Sequence, residues 1–233
     1  MNKKIEGIQI RSQKKRVFKA KGKSISSAKW LQRQINDPYV VHAKRLGYRS
    51  RAAFKLKEID DRFRFLSPGK RVVDLGAAPG GWSQVAIERV NALGSSAPPV
   101  GKVVSIDRSE IETLPGATIL KIDISEETIS EKIKLYLGGL SDVVLSDMAS
   151  PATGHTSTDH IRIMGLLELA FNFAQTVLSP NGVFLGKVLK GGTENTLLNQ
   201  MKKKFQMTKH IKPKASRQDS RESYIIATGF YGK

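Results

Sequence analysis

The apolar positions fall into short β-branched runs that alternate with longer stretches of helical spacing. Runs rich in Val and Ile predict strands, and apolar residues three or four positions apart predict helices. The alternation predicts βα units, which build a parallel sheet with helices on both faces. The predicted strands are 71–76, 102–107, 117–122, 142–147, 182–189 and 223–230, and the predicted helices between them are 81–93, 125–137, 159–178 and 193–204.

Three short helices are predicted before the first strand. The first begins at Ser26 or Ser27 and ends before Pro38, because a residue that precedes proline disfavours helical backbone. Ser50 is predicted to cap the third helix. We therefore expect one domain over residues 26–233, with helices at 26–66 packed on a sheet core at 70–231.

The segment 72–82 joins the first predicted strand to the next helix and reads V-V-D-L-G-A-A-P-G-G-W. Glycine tolerates positive φ and lets a ligand approach the backbone, so such a turn at a helix N-terminus is typical of a nucleotide-type site. Turns of this kind serve NAD, FAD, phosphates and S-adenosylmethionine. The turn alone does not decide among these ligands.

Three other predicted strands end in aspartate, at Asp107, Asp123 and Asp147. Ligands bind at the carboxyl ends of parallel strands, so these residues and Asp74 are expected near one another, with Asp107 placed to accept hydrogen bonds from both ribose hydroxyls. A structural role at a strand end is the alternative for each one. Several carboxylates favour a sulfonium cation on an adenosine over an anionic dinucleotide. Because the turn reads G-A-A-P-G-G, with Pro79 inside, and so departs from G-x-G-x-x-G, we interpret it as a site for S-adenosyl-L-methionine rather than for NAD.

The net charge of +18 is concentrated at the two ends of the 233-residue chain. Residues 1–57 carry +15, residues 58–180 carry −5 and residues 181–233 carry +8. Two basic ends predict a polyanionic partner, since Lys and Arg release counterions when they meet phosphates. A solvated basic surface is the alternative. Residues 1–25 have few large apolar groups and are predicted to be a disordered basic arm.

The amino-acid composition argues against several other classes of protein. Cysteine is absent, which excludes disulfides and thiolate chemistry and fits the cytoplasm. The four histidines are scattered, so no metal site is expected. No apolar run approaches the roughly 20 residues that cross a bilayer, and no secretory signal is recognisable. We expect a monomer, because no exposed apolar stripe is predicted.

Residues 74–84, D-L-G-A-A-P-G-G-W-S-Q, resemble the cofactor motif of the FtsJ (RrmJ)-type ribose 2′-O-methyltransferases. The likeness covers about residues 26–230. It implies a class I S-adenosylmethionine-dependent (Rossmann-like) α/β fold: a doubly wound, mostly parallel seven-stranded sheet with a helical N-terminal extension. Further matching segments occur in the family's order at 47–56, 146–149, 186–188 and 220–225.

The resemblance implies a catalytic tetrad of Lys55, Asp147, Lys187 and Glu222. From the residues alone, Lys187 interrupts an apolar strand, and a buried lysine needs a partner such as Asp147; a lysine that reaches out to solvent is the alternative. Burial would suit Lys187 as a general base, whereas neighbouring carboxylates favour its charged form, so orientation of the hydroxyl and electrostatic stabilisation stand beside proton abstraction. The resemblance also implies cofactor contacts at Gly76, Pro79, Gly80, Gly81, Trp82, Asp107, Asp123 and Asp147.

The family's bacterial branch implies methylation of a uridine ribose in 23S (large-subunit) ribosomal RNA, preferably in the assembled 50S subunit. Basic residues in 44–57 and 202–221 are expected to hold RNA phosphates. One alternative is a tRNA 2′-O-methyltransferase. A second is a non-catalytic RNA-binding ribosome-assembly factor, and an intact tetrad argues against this one. A third is an NAD-dependent oxidoreductase. The chain departs from the family at Ser150-Pro151, where Pro-Asn is frequent, and in its longer basic arm.

Overall fold

The computed structural model describes residues 31–189 and 195–232. The predicted basic arm, the predicted helix start at Ser26 or Ser27 and the first residues of the predicted 193–204 helix lie outside them. The strands are β1 (Arg71–Leu75), β2 (Lys102–Asp107), β3 (Ala117–Lys121), β4 (Ser141–Ser146), β5 (Leu178–Leu189), β6 (Phe205–Ile211) and β7 (Glu222–Phe230). The helices are α1 (Pro38–Arg45), α2 (Ala53–Phe63), α3 (Gly81–Val90), α4 (Ile129–Leu137), α5 (Thr156–Val177) and α6 (Asn195–Lys204).

The seven strands form one sheet in the order β3-β2-β1-β4-β5-β7-β6. Every pairing from β3 to β5 is parallel, and β7 runs antiparallel to both of its neighbours. The doubly wound, mostly parallel α/β fold is therefore confirmed. The strand order reverses between β1 and β4, and the carboxyl ends of these two strands flank the crevice where such folds bind ligands.

The hydrophobic pattern missed one strand, β6. Its sequence F-Q-M-T-K-H-I is largely polar, and it pairs on one side only, with β7. An edge strand needs no continuous apolar run, because part of its surface faces water. The pattern gave six strands, and the seventh expected from the family resemblance is this edge strand.

Several helix boundaries also differ from the prediction: α4 begins at Ile129 rather than at residue 125, and α5 begins at Thr156 rather than at residue 159. Ser50 does not cap α2: the N-cap residue is Ala52, which makes no side-chain capping hydrogen bond. The Ser50 side chain instead lies against Gly81, at the start of α3. Helix α3 ends at Val90 rather than at residue 93, because Asn91 adopts a left-handed backbone with φ of 58°.

Apolar side chains cover both faces of the sheet. Alternate residues of the central strands point to opposite faces. Val73 belongs to an apolar cluster that also includes side chains of α4, α5 and α6, whereas Val72 belongs to a cluster with side chains of α2 and α3. Leu56 of α2 is fully buried in the second of these clusters. Helix α2 thus runs along one face of the sheet, and its N-terminal end brings Lys55 to Glu222, next to the carboxyl end of β5. No helix in the two described ranges is both long and apolar enough to cross a membrane.

Candidate active site

The glycine turn between β1 and α3 is closely packed by other parts of the chain. Gly76 and Gly80 have φ of 71° and 112°, a region that side chains disfavour. A Cβ atom on Gly76 would lie 2.9 Å from the Met148 Cα atom, and one on Gly80 would lie 3.0 Å from the Arg49 guanidinium. Protein packing therefore requires glycine at these positions, in addition to any requirement from a ligand.

Arg49 connects the glycine turn to the loop that follows β2. Its guanidinium donates hydrogen bonds to the carbonyl oxygens of Pro79 (3.2 Å), Glu112 (2.8 Å) and Thr113 (2.8 Å). Its backbone N–H donates to Gln84 Oε1 at 2.8 Å. Arg49 belongs to the basic segment that was expected to hold RNA phosphates, and the structure gives it a different, internal set of partners.

A cleft of about 460 Å³ opens at the switch point between β1 and β4. It brings together four of the residues predicted to contact the cofactor: Gly76, Asp107, Asp123 and Asp147. Its other walls include the apolar side chains of Ile106, Ile122, Ile124, Met148, Leu166 and Leu169.

The other predicted cofactor contacts, Pro79, Gly80, Gly81 and Trp82, do not line this cleft. Trp82 is a core residue: its indole N–H donates to the Ala52 carbonyl at 2.8 Å, and its side chain is almost fully buried. These four residues shape the turn and the start of α3. Their effect on a ligand would therefore pass through the position of the turn.

Two carboxylates at the edge of the cleft are held by short local hydrogen bonds. Asp107 accepts from the backbone N–H groups of Ala78 (3.0 Å) and Ser109 (2.7 Å). Asp123 accepts from the backbone N–H and the hydroxyl of Ser125, and these bonds lower its pKa. Asp123 therefore carries a fixed negative charge. Across residues 31–189 and 195–232, no three His, Cys, Asp or Glu side chains are grouped so as to hold a metal ion.

Asp74 lies behind the turn rather than in the cleft. Its side chain is fully buried, and its Oδ2 atom accepts a hydrogen bond from the Ser83 hydroxyl at 2.7 Å. Burial raises the pKa of Asp74 to about 7, and the charges of Asp147 and Asp107 act in the same direction. Asp74 thus lies near the other aspartates, as expected, but its side chain points into the core.

The tetrad residues Lys55, Asp147, Lys187 and Glu222 form one continuous chain of charges. Lys187 Nζ lies 2.8 Å from Asp147 Oδ1 and 3.8 Å from Glu222 Oε2. Lys55 Nζ lies 2.7 Å from Glu222 Oε1. Four elements supply these residues: α2, the end of β4, β5 and β7. Their side chains are at most 18% exposed, so solvent screens these charges little.

The sequence reasoning missed Tyr224, which joins the same network. Its hydroxyl donates to Asp147 Oδ1 at 2.7 Å, and the side chain is fully buried. On β7 it pairs directly with Lys187 of β5. The sequence could have indicated this residue, because Tyr224 lies two positions after Glu222 on the same predicted strand. Successive side chains of a strand alternate between faces, so these two point to the same face.

The structure shows which charge state the buried pair favours. Burial lowers the pKa of Lys187, but the carboxylates of Asp147 and Glu222 outweigh that effect and hold this pKa above its ordinary value. Burial likewise raises the pKa of Asp147, but Lys187 and Lys55 outweigh it and hold this pKa below its ordinary value. Both groups are therefore ionised near neutral pH. The neighbouring carboxylates therefore favour the charged form of Lys187 over a neutral general base.

A basic groove approaches the tetrad from the side opposite the cleft. It has a volume of about 760 Å³ and lies between α1 and the β6–β7 connection, residues 212–221. A smaller cavity of about 270 Å³ contains Lys55 and Glu222 and shares lining residues with the groove. The groove therefore leads to the tetrad. Two carboxylates, Asp37 and Asp219, also line the groove and form ion pairs with Arg51, Arg217 and Arg33. The cationic lining residues are Arg33, Arg51, Lys212, Lys214 and Arg217, so the lining has an excess of positive charge.

Known proteins share this fold and sequence. A protein from Parvibaculum lavamentivorans named ribosomal RNA large subunit methyltransferase E is 58% identical over 226 residues, which cover 96% of this chain and 89% of that protein. A protein of the same name from Jannaschia sp. is 50% identical and covers 100% of this chain and 99% of its own. The crystal structure of a ribosomal RNA methyltransferase from Plasmodium falciparum is 29% identical, with a TM-score of 0.69 over 80% of this chain and 100% of that one.

The match to a family model covers nearly all of the sheet. The model of the FtsJ-like methyltransferases matches residues 48–230, from the segment before α2 to the end of β7. This range contains the glycine turn, the carboxylate-lined cleft and all four residues of the tetrad. Sequence and fold therefore agree that the chain belongs to the FtsJ-like methyltransferase family.

Proposed function

We propose that the protein transfers a methyl group from S-adenosylmethionine to the ribose 2′-hydroxyl of a uridine in large-subunit ribosomal RNA. The observation that carries this proposal is the position of the tetrad between two different surfaces. Asp147 belongs both to the carboxylate-lined cleft and to the tetrad. Glu222 belongs both to the tetrad and to the cavity that joins the basic groove. A donor on one side and an RNA strand on the other would therefore meet at Lys187.

The chemistry of the cleft fits S-adenosylmethionine. Apolar side chains such as Ile106 and Met148 suit an adenine ring, and Asp107 and Asp123 offer acceptors for hydroxyl groups. Asp147 places negative charge where a sulfonium cation would be attracted. Gly76 and these three aspartates are the residues that we propose hold the donor. When bound, the donor supplies an electrophilic methyl carbon.

Methyl transfer to a hydroxyl forms a carbon–oxygen bond, breaks a carbon–sulfur bond, which leaves a neutral thioether, and passes the hydroxyl proton to solvent water. A protonated Lys187 cannot accept that proton, but it can hold the oxygen by a hydrogen bond and stabilise the negative charge that develops on it. Asp147 and Glu222 keep Lys187 in this charged form. Orientation and electrostatic stabilisation are therefore the roles that the ligand-free geometry supports for Lys187.

The ribosomal substrate is proposed from two supports. The basic groove provides cations for phosphates next to the tetrad. The relatives from Parvibaculum lavamentivorans and Jannaschia sp. are named ribosomal RNA large subunit methyltransferase E. The monomeric state and cytoplasmic location expected from the sequence stay predictions.

The test is to incubate the protein with radiolabelled S-adenosylmethionine and large ribosomal subunits, naked ribosomal RNA or tRNA, and to map the label. We expect label on a uridine 2′-oxygen of the large-subunit RNA. Label on a base, label on tRNA alone or no label on any RNA would refute the proposal. We expect Lys187→Ala to abolish transfer and to retain donor binding. Lys132→Ala, on the remote helix α4, is the matched lysine control and should transfer at the wild-type rate.

A further inference from the structure

The β6–β7 connection is held in place at Ala215 by two hydrogen bonds and by apolar packing. The backbone N–H of Ala215 donates to Glu58 Oε2 at 3.0 Å, and its carbonyl oxygen accepts from Arg51 Nη2 at 2.5 Å. The Ala215 side chain is fully buried and packs with Ala43 and Phe54. Connections between strands are ordinarily the mobile part of a fold. Here one residue has both of its backbone groups and its side chain fixed.

Both polar partners of Ala215 come from the segment that carries Lys55. Glu58 lies three positions after Lys55 on α2, and Arg51 lies four positions before it in the turn that leads into the helix. Residues three positions apart lie on the same face of a helix, so Lys55 and Glu58 share one face of α2, and Arg51 reaches the same connection from the preceding turn. The face that presents Lys55 to the tetrad therefore also holds the connection in place.

The next residue, Ser216, contacts the tetrad directly. Its side chain is almost fully buried, and its hydroxyl donates to Glu222 Oε1 at 2.9 Å. The same oxygen lies 2.7 Å from Lys55 Nζ, whereas the other oxygen, Oε2, faces Lys187 Nζ at 3.8 Å. Two donors thus hold one oxygen of Glu222. Because these donors restrain the rotation of the carboxylate, they also determine the distance between Glu222 Oε2 and Lys187 Nζ.

We propose that Ser216 is a positioning residue, whose hydroxyl fixes the rotation of the Glu222 carboxylate and so sets the contact between Glu222 and Lys187. The inference rests on the proposed methyl transfer, which gives Lys187 the oxygen to orient. Without the hydroxyl, Oε1 keeps Lys55 as its donor and the carboxylate is free to turn toward Lys187. A carboxylate that draws Lys187 toward itself moves the ammonium away from the oxygen it must hold.

Asp147 does not compensate for that movement. Its Oδ1 atom is already fixed by the Tyr224 hydroxyl at 2.7 Å and by Lys187 at 2.8 Å. Its backbone carbonyl oxygen also accepts from Lys187, at 2.8 Å. Glu222 is therefore the adjustable neighbour of Lys187 within the tetrad. Ser216 restrains that neighbour from outside the tetrad.

The experiment compares the wild type with Ser216→Ala, with Ser216→Thr, which restores a hydroxyl, and with the control Ser223→Ala. Ser223 is an equally buried serine of the same hairpin, and its hydroxyl donates to the Ile211 carbonyl at 2.9 Å. Three quantities are measured: the single-turnover rate of methyl transfer to large ribosomal subunits, the Kd for S-adenosylmethionine, and the ¹⁵Nζ resonance of Lys187. That resonance is assigned by its disappearance in Lys187→Ala.

We expect Ser216→Ala to slow transfer roughly tenfold, because a small displacement of the group that orients the reacting oxygen costs rate. Its Kd for the donor should stay within about twofold of the wild-type value, because the cleft is untouched, and the Lys187 resonance should move. Ser216→Thr should restore the resonance and most of the rate. Ser223→Ala should lower the Tm and leave the rate and the resonance unchanged.

A wild-type rate and resonance in Ser216→Ala would overturn the inference, and so would the same kinetic change in Ser223→Ala. If Ser216→Ala does not fold, it is replaced by Glu58→Ala, which removes the acceptor of the Ala215 N–H. This variant should also move the Lys187 resonance away from its wild-type position. No movement in Glu58→Ala would then decide against the inference. The proposed function fails separately, if the wild type labels a base or no RNA, whereas the resonance tests the Ser216 contact without any substrate.

Discussion

Replacing Arg49 with alanine tests whether this arginine serves the donor cleft or the RNA. Three guanidinium hydrogen bonds join Pro79, in the glycine turn, to Glu112 and Thr113, in the loop after β2. Each bond is partly exposed to solvent, so we assign about 0.5 kcal/mol to each and about 1.5 kcal/mol to the set. The glycine turn and the loop after β2, which supply Gly76 and Ser109 to the cleft, would then have to be ordered when the donor binds. We expect the Kd for S-adenosylmethionine to rise about tenfold.

The assay measures donor affinity by calorimetry and RNA affinity by filter binding over a range of salt concentrations. Arg49→Ala should leave the salt dependence of RNA binding unchanged, because its donors bind protein carbonyls. Lys214→Ala, in the exposed part of the basic groove, should give the opposite result: weaker RNA binding, a salt slope smaller by about one, and an unchanged donor affinity. A normal donor Kd for Arg49→Ala, together with a reduced salt slope, would refute the reasoning.

Three further outcomes follow from the buried groups. Tyr224→Phe removes the 2.7 Å hydrogen bond to Asp147 and should cost about 1 kcal/mol in the free energy of unfolding by urea, together with a slower transfer; a fully active variant would contradict that role. The wild-type transfer rate should stay flat between about pH 6 and about pH 9, because Lys187 is proposed to act in its charged form and a pKa above the ordinary value of 10.5 keeps it charged over this range; a slope of one would restore Lys187 as the general base, acting through its neutral form. The pKa of Asp74 is raised from 3.8 to about 7, so the folded state favours the neutral acid and this contribution to stability is lost as the pH rises through that interval. Asp74→Asn should therefore gain stability relative to the wild type between pH 5 and pH 8, measured by urea unfolding at both values, and parallel curves would refute this account.

The fold was largely predictable because its signal is local. The β-branched runs between residues 71 and 230 predicted six strands, and five of them lie within one residue of their predicted bounds. The remaining one, β5, begins four residues earlier than predicted, at Leu178. The edge strand β6 gave no such signal, because half of its surface faces water. Ser50 matched the pattern of a helix cap, but its side chain packs against Gly81 instead. Local patterns thus identify elements more reliably than they identify the partner of one side chain.

The sequence by itself determined which chemical groups the protein has: a glycine turn, aspartates at strand ends and, through the family resemblance, two lysines with two carboxylates. Only the tertiary structure decided how these groups are paired. Asp147 and Lys187 are 40 positions apart, and Arg51 and Ala215 are 164 positions apart, so no periodicity links them. Their contacts depend on the order of strands in the sheet and on the place where α2 packs. For the same reason, only the tertiary structure shows three further features: the charged form favoured for Lys187, the bonds of Arg49 to protein carbonyls, and the contact of Ser216 with Glu222.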